Sequence, residues 1–193
     1  MDKREILRYA GVRGELPSVE PLLEDCLEEL LGQLRYELCF GSFPLRMTEE
    51  TVDLGFARIA SRSLRRHLLG CEETVLFAAT LGVAPDRLVA KYSRVTPLRA
   101  LMIQAIATER IEALCDCFCQ SLAQKEKERG REITGRFSPG YGDLSTELQR
   151  QIFQVLDCPR RIGVSLSESL FMTPSKSVTA LVGVRKTTDG HPR

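Results

Sequence analysis

The chain has 193 residues, 43% of them apolar and 27% charged, which suits one sizeable hydrophobic core and excludes a disordered or repetitive composition. Its 27 basic and 26 acidic residues nearly cancel, so no overall field favours nucleic acid or an anionic membrane surface as a partner. No apolar run is long enough to span a bilayer, residues 1–11 are too charged for a signal peptide, and seven cysteines, an odd number, point to reduced thiols and a cytoplasmic setting.

After a short opening segment, residues 18–38 place Leu23, Leu27, Leu30 and Leu34 at helical spacing behind Ser18 as N-cap, so an amphipathic helix is expected, possible as an appendage to the main domain. The stretches CFGSFPLR and TVDLGFARI, joined by polar MTEE, read as two strands of a hairpin, with Pro44 indicating an edge. Ser61 or Ser63 caps a short basic helix ending near His67, a helix-end histidine, and Gly70 closes it. The apolar run TVLFAATLG suits a buried strand.

A long helix is expected from Pro97, preceded by Thr96 as N-cap, to a stop at Gly130, a span of about 50 Å. Its apolar stripe comprises Leu98, Leu101, Met102, Ala105, Ile106, Leu114, Cys115, Phe118 and Leu122, and its KEKERGR end reads as a solvated last turn. Cys115, Cys117 and Cys119 cluster on it, but a helix turns Cys117 away from the other two, so core packing is the better reading than metal binding.

STELQRQIFQVLD gives a further amphipathic helix, burying Leu148, Ile152, Val155 and Leu156. RIGVSLSE and SVTALVGV then alternate as strands around the loop SLFMTPSK, and residues 185–193 read as a tail. Blocks of helices and strands without regular alternation predict an α+β fold, a largely antiparallel sheet with a long central helix, in a single domain over residues 1–184.

Chemistry-bearing motifs are few. There is no Gly-x-Gly-x-x-Gly turn, TPSKS lacks the glycines of a phosphate loop, and the two histidines, His67 and His191, do not make a catalytic set. The stretch RFSPGYGDL, residues 136–144, stands apart. Pro139 and Gly140 make a turn, Gly142 adds backbone freedom, and Asp143 or Ser145 can cap the following helix. A turn alone needs neither Arg136 nor Tyr141. A guanidinium fork, a phenol and adjacent glycines also suit a cradle for a small zwitterion carrying an aromatic base, and pattern alone leaves turn and cradle both open.

RFSPGYGD resembles the Arg-x-x-x-Gly-Tyr signature of the activation domain of cobalamin-dependent methionine synthase, which binds S-adenosylmethionine. LSESLFMTPSKSVTALVG, residues 166–183, is similar to that family's Thr-Glu-Ser, Met, Pro and Ser-Val segment, and GCEETVLFAATLG and TERIEALCD resemble stretches of its small stand-alone relatives. The resemblance covers about residues 35–184 and implies the same α+β fold.

It further implies that Arg136 holds the methionyl carboxylate and that Tyr141, beside Gly140, meets the ligand near its sulfonium or sugar. The main chain of Phe137 and Ser138 would face the adenine. Glu112 on the long helix, or Asp116 one turn later, would join them, and Glu168 matches the family's glutamate although Ser167 replaces its threonine. Gly142 and Asp143 stand where full-length synthases have a proline, and the segment preceding the arginine is shorter. The DGH of residues 189–191 lacks the glycine of a cobalamin-ligand motif.

The implied function is a free-standing reactivation module, a component of methionine synthase activity acting in trans. It would bind S-adenosylmethionine and dock on a separate cobalamin-carrying methionine synthase served by a flavodoxin- or ferredoxin-type electron donor, with no metal or catalytic residue of its own. The alternatives are a docking or scaffold protein for a corrinoid protein, or an activator of another corrinoid methyltransferase.

Overall fold

The computed structural model describes residues 1–12 and 19–187. The elements run α1 (Lys3–Tyr9), α2 (Glu20–Leu31), β1 (Glu37–Pro44), β2 (Arg46–Met47), β3 (Val52–Asp53), β4 (Arg58–Ile59), α3 (Arg62–His67) and β5 (Glu73–Thr80). They continue with α4 (Ala84–Tyr92), α5 (Pro97–Glu128), β6 (Arg131–Ile133), α6 (Leu148–Leu156), α7 (Cys158–Ile162), β7 (Ser165–Leu166), β8 (Met172–Thr173) and β9 (Ser177–Lys186). One sheet has the order β1-β5-β9-β6, a second β2-β3-β4, and β7 and β8 form a two-stranded ribbon. The pairs β2–β3, β3–β4, β6–β9 and β7–β8 are antiparallel. With the 32-residue α5 as the longest element, this is the α+β class expected.

The chain divides into two compact units. The first comprises Met1–Leu38, Ala79–Asp116 and Ile162–Val178. Here α2 buries Leu23, Cys26, Leu27 and Leu30. Beside that face stands the half-buried Glu29, which accepts hydrogen bonds from Arg99 (2.7 Å), Tyr92 (2.8 Å) and Lys91 (3.1 Å) and so ties together α2, α4 and α5. Burial pushes the Glu29 carboxyl up, but these three donors outweigh it and hold the pKa at about 2.

The second unit comprises Cys39–Ala78, Cys117–Arg161 and the chain from Thr179. The Phe118 ring stands 4.8 Å from that of Phe77 and 5.3 Å from that of Phe40. Arg131 at the start of β6 binds Glu73 of β5 (2.8 Å) and the buried Glu126 near the end of α5.

Several expectations need correction. The first long helix stops at Leu31, well short of residue 38, because the Arg35 N–H donates to the Leu81 carbonyl (3.0 Å) and turns the chain toward β1. Ser18, expected to cap it, lies outside the described residues, and the helix starts with Pro21 in its first turn instead. The hairpin exists in shorter form, pairing Met47 with Val52, whereas β1 lies at the edge of the four-stranded sheet with Pro44 as its last residue. Ile162 ends α7 instead of starting a strand, so the RIGVSLSE strand shrinks to Ser165 and Leu166, and the expected loop supplies β8.

In α5, Met102, Ala105, Ile106, Cys115 and Leu122 of the expected stripe are buried, but Leu98 and Leu101 are 54% and 44% exposed, and Ile103, Ala107 and Ile111 join the buried face. Its last turn is not simply solvated, since Glu126 is buried against Arg131. In α6 the buried side uses Phe153 and leaves Val155 exposed. Two helices, α1 and α4, come in addition to the expected elements. Asp2 caps α1 by accepting from the Arg4 and Glu5 N–H groups, and α4 carries Pro85 and Asp86 in its first turn. Strand β9 continues through Arg185 and Lys186, paired with Glu132 and Arg131. His191 and the rest of the DGH motif lie outside the described residues.

Candidate functional site

The segment that carries Arg136 and Tyr141 leaves the sheet through an irregular edge. Strand β6 pairs with β9 as far as Ile133 opposite Val184, and an isolated bridge then pairs Phe137 with Leu181. Thr134, Gly135 and Arg136 therefore stand opposite only Val182 and Gly183. That extra residue is a β-bulge, a device that bends a strand and re-aims its side chains. Gly183 is needed here because a Cβ at that position would come within 2.5 Å of Cys71 Sγ and 2.8 Å of Leu68 Cδ2.

The bulge is fastened by a small network. The Thr134 N–H donates to the Gly183 carbonyl and the Gly183 N–H to the Thr134 hydroxyl, both at 2.9 Å. That hydroxyl donates in turn to the Gly135 carbonyl (3.0 Å), which also accepts from His67 Nε2 (2.8 Å). A carbonyl only accepts, so the proton sits on Nε2.

Beyond the bridge the chain turns back. The Tyr141 N–H donates to Ser138 O (3.1 Å), the Gly140 N–H to Leu144 O (2.8 Å) and the Leu144 N–H to Tyr141 O (3.0 Å). Gly142, at φ +55°, lies so close to α3 that a Cβ would meet the Ser63 hydroxyl at 2.4 Å. Asp143 then reaches the start of α3. It accepts from the Ser61 hydroxyl (2.6 Å) and from the N–H groups of Arg62 (2.8 Å) and Ser63 (3.0 Å), bonds that hold its carboxyl well below the usual carboxylate range. Ser61 caps Leu64 in turn, which makes it, of the two serines expected as candidates, the N-cap of α3. Asp143 or Ser145 was expected to cap the helix after them; Asp143 caps α3. Ser145 instead accepts from the Glu147 N–H (3.2 Å) just ahead of α6.

The side chains that result are a half-buried Arg136 and a Tyr141 that is 64% exposed, separated by the buried Pro139. The rings of His67, Phe137 and Tyr141 form a row, with centroids 4.8 Å and 6.0 Å apart. Phe137 has both main-chain groups committed to Leu181 at 2.9 Å. Any further main-chain contact at Phe137 is thus left to the second lone pair of its carbonyl.

The structure brings Arg136, Phe137, Ser138, Gly140 and Tyr141 together in this one segment of the second unit. Glu112 and Asp116 belong to the first unit, where they line a cleft of about 360 Å³ with Asp2, Glu5, Tyr9 and Glu109. Glu168 also belongs to the first unit, exposed in the turn between β7 and β8. That turn is shaped by Ser167, whose hydroxyl accepts from the Phe171 N–H (3.0 Å), a bond that threonine could make equally. Of the clustered cysteines, Cys115 is buried, Cys119 half-buried and Cys117 exposed, and no set of three metal-binding side chains occurs among the described residues.

His67 and Asp143 are the residues whose roles sequence reasoning missed. A signal existed for Asp143, since an aspartate straight after a Gly-Tyr-Gly turn suits capping, but the partner helix lies some 80 residues earlier.

The described residues contain no helix long and apolar enough to cross a membrane. A family model, vitamin B12 dependent methionine synthase, activation domain, matches residues 66–189, more than half of the chain. A solved structure of the MetH reactivation domain bound to AdoHcy is similar in fold, with a TM-score of 0.67 and 16% sequence identity over 97% of this chain and 77% of that one. No curated protein matches the chain.

Proposed function

The chain belongs to the vitamin B12 dependent methionine synthase activation-domain family, and on that premise we propose that it binds S-adenosylmethionine at the 136–141 segment and presents it to a cobalamin-carrying methionine synthase on another chain. The observation that carries this reading is the held loop itself. A bulge and a distant cap fix a segment that bears a guanidinium, an aromatic row and an open glycine turn in the family's Arg-x-x-x-Gly-Tyr order.

A zwitterionic nucleoside fits these groups by charge and shape. The Arg136 fork offers two parallel donors to the methionyl carboxylate, a pairing worth more than a single neutral hydrogen bond. The exposed Tyr141 ring offers its face to the sulfonium and its hydroxyl to the sugar. Ser138 offers main-chain groups to the base, and Gly140 leaves room for close approach. The family resemblance also assigns Glu112 or Asp116, and Glu168, all of which belong to the first unit.

The chain's work is binding and orientation. The partner's cobalamin, reduced by a flavodoxin- or ferredoxin-type donor, supplies the nucleophile, and the sulfonium carries its own leaving group. No proton need move, in keeping with a segment whose histidine is engaged in holding the backbone.

The test is reactivation in trans. The purified chain is mixed with a corrinoid methionine synthase lacking its own activation domain, S-adenosylmethionine and a chemical reductant, and methionine formation is followed. Restored turnover that Arg136→Ala abolishes supports the reading. Binding of the corrinoid protein without any S-adenosylmethionine-dependent turnover would instead favour a docking protein.

A further inference from the structure

The ends of α3 grip the two ends of the segment just described. We propose that His67 is a positioning residue that, together with Asp143, clamps residues 135–143 across this single helix and so sets the placement of Arg136 and Tyr141. The inference rests on the ligand reading for its purpose, but not for its geometry.

A six-residue helix is about 9 Å long. At its N-terminus Asp143 takes the hydroxyl of Ser61 and the N–H groups of Arg62 and Ser63. At its C-terminus His67 Nε2 donates to the Gly135 carbonyl, at the residue immediately before Arg136. Between these two anchors the chain makes its whole excursion through Arg136 and Tyr141. Gly142 packs against Ser63 along the way, so the segment is fixed to α3 near both ends.

The choice of histidine is informative. A cation at a helix C-terminus is favourable, but Arg65 and Arg66 already occupy the last turn and supply that charge. What they cannot supply is a flat ring that lies against Phe137 (4.8 Å, 38° between planes) with a donor at its far edge placed 2.8 Å from a backbone oxygen. The bond needs the Nε2 proton, which both the neutral and the charged imidazole can carry, so the clamp does not depend on the charge of His67. Phe137 in turn stands against Tyr141, which passes the placement of the imidazole along the ring row to the proposed ligand contact.

The experiment compares His67→Ala, His67→Gln and, as a control that weakens the packing of α3 while leaving every hydrogen bond to the segment in place, Leu64→Val. Two readouts are taken: amide hydrogen exchange at Phe137 and Leu181 without ligand, and calorimetric titration with S-adenosylmethionine. In His67→Ala, exchange at both amides is expected to quicken and affinity to fall about tenfold, the loss that goes with one anchoring hydrogen bond. His67→Gln, whose amide can donate to the same carbonyl, is expected to recover most of both, whereas Leu64→Val lowers the melting temperature with affinity unchanged. Unchanged exchange in His67→Ala, or a glutamine variant as impaired as the alanine one, would overturn the clamp. Quickened exchange in His67→Ala alongside no S-adenosylmethionine binding by the unmodified chain would uphold the clamp and overturn the ligand reading.

Discussion

Two of the three regions whose residues the family resemblance assigns to a ligand, the 134–143 segment and the turn holding Glu168, are built differently. Residues 134–143 are held by bonds to partners some 50 to 80 residues away, at Gly183, His67 and the start of α3. The turn holding Glu168 is shaped by bonds between Ser167, Leu170 and Phe171, within four residues of one another. A turn closed by its own neighbours keeps its form in almost any setting, whereas the 134–143 segment has its shape only when the second unit is folded. Preorganisation of that kind is what a binding segment gains from long-range anchors, because the ordering cost is met on folding and not on binding.

The largest effect is expected from Arg136→Ala, which should weaken S-adenosylmethionine binding about a hundredfold in calorimetry, and Arg136→Lys should restore little because a point charge replaces a fork. Next comes Asp143→Ala, expected to lower the melting temperature and to weaken binding about tenfold by freeing one end of the segment. Because hydrogen bonds hold the Asp143 carboxyl well below the usual range, its contribution is present at neutral pH and is lost only in strong acid, as pH falls through that lowered value.

Gly183→Ala should cost about 1–3 kcal/mol in urea unfolding, since its Cβ would collide with Cys71 and Leu68. Glu29→Gln should cost about 1 kcal/mol without changing affinity, as it loosens an ionic cluster of the first unit alone. The Glu29 contribution is complete above the ordinary carboxylate value of 4.5 and should fade as pH drops toward its folded value of about 2. Smallest of all, Glu168→Gln is expected to change affinity by less than about threefold, as befits an exposed charge on a locally closed turn.

What could be read in the sequence divides along the same line. The long helix from Pro97, the basic helix capped by Ser61, the buried strand from Glu73 and the edge position of Pro44 were all legible, since each is fixed by local periodicity or capping chemistry. The early end of α2 was not, because the bond that turns the chain there comes from Leu81. The exposure of Leu98 and Leu101 was likewise hidden, since apolar spacing does not say which face meets a partner element. Within the candidate segment, the Arg-x-x-x-Gly-Tyr order was visible but the bulge was not, because it exists only as a mismatch between residues 134–136 and 182–183. Gly183 gave the one available hint, a glycine inside an otherwise alternating strand.

The most direct test of the central claim is a crystal structure of the chain soaked with S-adenosylhomocysteine. The ligand carboxylate is expected on Arg136 and the nucleoside beside Ser138 and Tyr141, with residues 134–143 unmoved. Ligand density elsewhere on the chain, or a segment that must rearrange before the ligand can enter, would contradict it.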